Sequence, residues 1–132
     1  MNNIPVPRDQ LRKLKHESED EKRREKVKRV INDIYEKVLD HAKTTFNSTF
    51  KYGVYQATIV RGNPNKDDIF RVKNIDDIIQ GLKILFPDCS VQQRMYINGY
   101  TRMYDTTELD SVHPSCLISG AIPMPFIVID WS

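Results

Sequence analysis

Glycine and cysteine are scarce in this chain, with 5 and 2 among 132 residues. The five glycines form no phosphate-cradling loop, and neither a P-loop nor a GxGxxG run occurs. The GxSxG and HExxH signatures are missing too, so the catalytic classes they mark have no support. Cys89 and Cys116 are too few for a disulfide-stapled scaffold and suit a reducing compartment. No apolar run approaches the roughly 20 residues that span a bilayer, so no membrane partner is expected. The opening MNNIPVPRDQ lacks the apolar centre of a signal peptide, which makes an intracellular protein the expectation. A large excess of one charge is also missing, because the net charge is only +2.

What is present describes an ordinary globular chain. Hydrophobic residues make up 39% and charged residues 29%, enough for one domain with one core. The charge is mildly uneven. Residues 1–51 hold 13 Lys/Arg against 9 Asp/Glu, and residues 52–132 hold 7 against 9. A net of +4 over so acid-rich a stretch falls short of a nucleic-acid-binding tail.

The most distinctive run is EKRREKVKRVINDIYEKVLDHAK, residues 21–43. From Val27 the apolar positions are Val30, Ile31, Ile34, Tyr35, Val38, Leu39, Ala42 and Phe46, steps of three and four that predict one helical stripe. Ser18 with Glu21 reads as a capping box, and Glu19 and Asp20 suit the positive end of a helix, so a helix is expected over 18–47. Pro7 offers an earlier start, because Leu11 and Leu14 share a face and proline fits a first turn. Residues 1–17 are then an extended or partly helical lead-in to a single domain over 18–132. Glu19–Arg23, Asp20–Arg24, Glu25–Arg29 and Asp33–Lys37 all stand four apart with the acid first, and each pair adds about 0.2–0.5 kcal/mol. Together they predict a helix whose charged end stands in water.

TFKYGVYQATIV, residues 49–60, reads as a strand, and IFRVK, residues 69–73, as a second one across the turn cluster RGNPNKDD. Asn74 is expected to cap a second helix carrying Ile75, Ile78, Ile79, Leu82, Leu85 and Phe86, stopped by Pro87. In SVQQRMYINGYTRMYD, Asn98-Gly99 between alternating runs predicts a two-residue type I′ hairpin turn. Residues 105–125 read as an irregular loop, and FIVIDW as a strand in the middle of the sheet. The expected fold is α+β. A long N-terminal helix and a second helix pack on one face of a mostly antiparallel sheet of about five strands.

The predicted hairpin places Met95, Ile97, Tyr100, Arg102 and Tyr104 on one face and Arg94, Tyr96, Thr101 and Met103 on the other. Arginines interleaved with aromatics on a sheet can stack bases and hold phosphates, and the same residues mark protein interfaces. The plainest reading is one core face and one ordinary sheet surface. Cys89 has no catalytic context, and His113-x-x-Cys116 falls short of the four ligands of a zinc site. Asp76 and Asp77 fit a helix N-terminus. No catalytic, cofactor-binding or metal-ligating residue is therefore assigned. Trp131 either plugs the core edge or anchors a partner contact.

VINDIYEKVLDHAK, DDIIQGLKILFPDCSV and the closing FIVIDWS resemble small, largely uncharacterised α+β proteins of large double-stranded DNA viruses. The resemblance is one of residue texture over half the chain, rich in lysine, isoleucine and asparagine. It carries no catalytic residue. It implies a host cytoplasm or a virion as the setting, and a structural or accessory role there.

The expectation is a non-enzymatic structural or interaction protein that self-associates or docks into a larger assembly. The alternative is a nucleic-acid-binding accessory protein using Lys22, Arg23, Arg24, Lys26, Lys28 and Arg29 with Arg94, Tyr96 and Arg102.

Overall fold

Residues 3–55 and 65–132 are described by a computed structural model. Helix α1 runs from Arg8 to Thr44, with Pro7 in extended conformation at its N-cap. The earlier of the two starts offered by the sequence is therefore the one used, and Ser18 and Glu21 lie in mid-helix. No glycine or proline stands between Arg8 and Lys51, and Lys, Arg, Glu and Leu dominate 8–25, so nothing halts the helix on its N-terminal side. It ends three residues before Asn47. The Thr44 and Thr45 hydroxyls bond back to the carbonyls of Asp40 and His41, at 2.8 and 2.9 Å. Phe46 thus falls outside the helix and is fully exposed, while Leu39 and Ala42, at the far end of the predicted stripe, lie within the helix on its exposed side.

Strand β1 covers Thr49–Gly53. The rest of the predicted 49–60 strand from residue 56, and the turn residues up to 64, lie outside the described residues. IFRVK is not a strand. It belongs to a short helix, α2, Lys66–Lys73. The cause is a capping box. Asn65 Oδ1 accepts from Asp68 N at 2.8 Å, and Asp68 Oδ2 accepts from Asn65 N at 3.3 Å. That start, with Asp67 and Asp68 in the first turn and Arg71 and Lys73 in the last, outweighs the strand preference of Ile69, Phe70 and Val72. Asn74 separates α2 from helix α3, Ile75–Leu85. It stands at the N-cap position, but its side chain makes no capping bond. Its Nδ2 donates to Phe70 O instead.

The sheet has four strands among the described residues, not five. Loss of the 69–73 strand accounts for the difference. Besides β1 these are β2, Ser90–Asn98; β3, Met103–Asp105; and β4, Met124–Asp130. The order is β1-β4-β2-β3, with every pair antiparallel, so the closing FIVIDW run is central as expected. Register sorts the two faces. Phe50 stands opposite Ile129 and Ile129 opposite Val91, while Tyr52 stands opposite Ile127. These side chains share one face, and the core forms there against Val27, Ile34 and Val38 of α1 and Ile78, Ile79 and Leu82 of α3. Between β3 and β4, residues 106–111 and 114–116 wind into two 3-10 turns.

The Asn98-Gly99 turn differs from its sequence signature. Asn98 is still paired, opposite Met103, so the connection is the four residues 99–102. The only positive φ among the described residues is at Gly120. Gly99 is required for a different reason. It bridges to Leu117, and Tyr100 N donates to Cys116 O at 3.0 Å, which brings a third segment hard against the turn. A Cβ on Gly99 would collide with the Tyr104 ring and lie 2.7 and 2.8 Å from the carbonyl oxygens of Cys116 and Arg102.

Two outcomes follow for stability. Gly99→Ala meets backbone that cannot step aside, and it is expected to cost about 1–3 kcal/mol in urea unfolding. Ile34→Ala, at the fully buried centre, is expected to cost about 2–5 kcal/mol, while Leu14→Ala on the same helix stays within about 0.5 kcal/mol. Equal costs at 14 and 34 would mean that the helix packs along its whole length.

Candidate functional site

The cations singled out from sequence do not converge. Those of α1 lie on the helical layer, whereas Arg94 and Tyr96 project from the opposite face of the sheet, in register with Phe126 and Met124. Arg102 sits in the 99–102 turn.

Most of these cations are already held by carboxylates. Arg23 Nη1 donates to Asp77 Oδ2 at 2.6 Å and to Asn74 Oδ1 at 3.0 Å, and the same guanidinium holds Asp20. Arg24 also pairs with Asp20. Lys26 Nζ lies 3.2 Å from Asp67 and 4.5 Å above the Phe70 ring. Arg94 pairs with Asp105 at 3.3 Å, and Arg102 with Glu108 at 3.1 Å while stacking 4.0 Å over Tyr104. Each exposed pair is worth only about 0–1 kcal/mol. A phosphate would still have to displace a carboxylate at each. Lys22, Lys28 and Arg29 are exposed, and Arg29 borders a shallow cleft with Lys26, Asp33 and Tyr52.

Tyr96 is buried rather than offered to a base. Phe126 meets it edge-on at 5.2 Å, and Lys51 Nζ lies 4.7 Å over its ring. Burial pushes its phenol pKa up. Trp131 is half-buried against the core edge, where its backbone N–H donates to Ser48 O at 3.0 Å. His41 stands edge-on to both Phe50 and Trp131, at 5.4 and 6.0 Å, with its Nε2 buried and unpartnered. The core-edge role suffices for Trp131.

The buried ionic contact is structural. Arg71 pairs with the fully buried Asp68, and its Nε donates to Val54 O at 2.7 Å, tying α2 to the end of β1. Among the described residues no group of three or more His, Cys, Asp or Glu side chains is placed to hold a metal ion. His113 Nδ1 caps the second 3-10 turn, accepting from Ser115 N at 3.2 Å. Cys89 and Cys116 are both free and half-buried. No described helix is long and apolar enough to cross a membrane.

The surface that stands apart is at the other end of α1. Every residue from Asn3 to Glu19 is exposed. Within that stretch Leu11 and Leu14 are 55% and 52% exposed, preceded by Ile4 and Val6 in the extended lead-in. Leu11 and Leu14 lie 16 and 13 residues before Val27, about 160° and 220° around the helix from it. They therefore point away from the buried stripe and cannot pack on the domain that α1 serves. The sequence shows that Leu11 and Leu14 share a face. What it leaves unstated is that this face is opposed to the core. The start of the predicted stripe offers no free apolar surface, since Val27 is buried and Val30 half-buried against the core.

No protein-family model, curated protein or solved structure matches this chain.

Among the described residues, Asp20 through the Arg23 hydrogen bond, Asp105 through the Thr107 N–H and Asp130 through the Ser132 N–H have pKa values below the ordinary range. A depressed folded pKa stabilises the fold above the unfolded carboxyl value, near about 4, and that contribution fades as pH falls through the folded value. The thermal midpoint is expected to hold between neutral pH and about pH 5 and to drop below about pH 4. Asp20→Asn with Asp105→Asn should flatten that drop; an unchanged acid slope would show that these groups do not carry it.

Proposed function

We propose that this chain is a non-enzymatic structural or interaction protein that assembles, with itself or with another protein, through the projecting N-terminal half of α1. One observation carries the reading. Twelve helical residues, Arg8–Glu19, extend for about 18 Å with no domain beside them, and present two leucines away from the core. Exposed leucines taken singly are ordinary. Here they share one face of a segment that no other described residue covers, and an isolated helix of that length is marginal in water. A partner surface supplies the burial that the domain does not. The sequence resemblance to viral proteins makes a host cytoplasm or a virion the setting.

The nucleic-acid alternative rests on the exposed Lys22, Lys28 and Arg29. It predicts binding that falls steeply with salt.

The test is Leu11→Asp combined with Leu14→Asp, sized by light scattering both as pure protein and in an extract of the cells that produce it. The wild type is expected above 15.4 kDa in at least one setting, and the variant at 15.4 kDa with an unchanged melting curve. Monomers for both proteins in both settings would overturn the reading. A wild-type peak rich in absorbance at 260 nm that collapses in high salt would replace it with the alternative.

A further inference from the structure

We infer that the occupant of the Leu11–Leu14 face is a second copy of this chain, packed parallel and in register about a two-fold axis. The inference rests on the reading of that face as a docking surface and adds the identity and orientation of the partner.

The first argument is clearance. The domain hangs from the side of α1 opposite to Leu11 and Leu14, so two helices meeting along that face carry their domains outward, away from each other.

The second argument is charge. With Leu11 and Leu14 at the two seam positions of a heptad, Ser18 and Glu21 continue the seam and Ile4 and Pro7 precede it. One flank of the seam then holds Arg8, Lys15 and Lys22, and the other holds Gln10, Glu17 and Arg24. In an antiparallel pair each flank meets its own kind, which sets the three cations against three cations. In a parallel pair opposite flanks meet. Gln10 then faces Lys15 of the second copy, and Glu17 faces Lys22 of the second copy. Arg24 and Lys15 are already held within their own chain by Asp20 and Glu19, so the Glu17–Lys22 contact carries the preference. The pattern therefore selects the parallel arrangement and rejects the other.

The third argument limits the contact. Beyond Ser18 the seam turns to Glu21 and Glu25, which would repel their own copies, so the helices part where each joins its domain. A contact this short is reversible and depends on concentration.

The experiment uses the full chain with Cys89→Ser and Cys116→Ser, so that an added cysteine is the only thiol. The weight-average mass is expected to climb from one chain toward two as concentration rises. Ser18→Cys is expected to form a disulfide-linked dimer about tenfold faster than Glu19→Cys, since identical seam positions lie within bridging distance only in a parallel pair. Glu17→Lys is expected to weaken association roughly five-fold, and Lys22→Glu added to it to restore it. All of these positions are exposed, and circular dichroism checks that helix content is kept. Cross-linking at 18 no faster than at 19, or no rescue by the double charge reversal, overturns the parallel pair. A pure chain that stays monomeric at every concentration, yet joins a larger complex in the extract, overturns the self-pairing and leaves the docking reading standing.

Discussion

Everything in this molecule hangs on one twelve-residue stretch of α1. Val27, Ile34 and Val38 enter a core made by α3 and by one face of the sheet, and Ile34 at its centre has no solvent exposure. Three turns of helix are thereby fixed in space. The other turns are fixed only because a helix, once nucleated, is stiff and adds residues at little further cost. With no glycine or proline between Arg8 and Thr44, the packed turns carry the rest of the helix outward on both sides of the contact. Gly81 of α3 marks how close the contact is, since a Cβ there would run into the Ile31 side chain.

Charge then fixes α1 against its neighbours in rotation and register. Arg23 reaches Asn74 and Asp77 at the α2–α3 junction, and Lys26 reaches Asp67 at the start of α2. Asp77 and Asp67 are first-turn acids, whose position already favours negative charge. Each such pair adds little to stability. Their use is geometric, because a helix slid by one turn would leave two acids at helix N-termini without their cations. The same wiring bears on function. Of the counter-charges of the run 22–29, Asp20 is local to Arg23 and Arg24, whereas Asp77 and Asp67 stand 54 and 41 residues from Arg23 and Lys26.

Local signals with a backbone cause were readable in the sequence, and those that depend on distant partners were not. The α1 stripe through Val38 and the α3 face at Ile78, Ile79 and Leu82 follow from periodicity, and the central strand from its near-continuous apolar run, whereas Leu85, expected on the α3 face, is exposed. IFRVK failed because residue preference there favours a strand, while the Asn65–Asp68 box and the burial of Arg71 favour a helix. Five residues of propensity lose to a cap, an i,i+3 ion pair within the helix and the Arg71–Val54 hydrogen bond. Asn98-Gly99 failed because the 116–118 segment docks against the turn, and no turn rule sees 18 residues ahead. For the candidate residues the result is similar. Tyr96 and Trp131 are aromatic and hence eligible for either a core or an interface, and only the register and packing place them inside.

A single helix with two opposed apolar faces, used in different segments, behaves unlike an ordinary amphipathic helix. Had Leu11 and Leu14 continued the Val27–Val38 stripe, α1 would have a longer core face and the domain could close over it by adding residues there. Because they sit on the far side, no rearrangement of this domain buries them while Val27 and Ile34 stay packed. The two demands are separated by geometry. The domain takes the stripe at 27–38, and no described residue covers the face at 11–14.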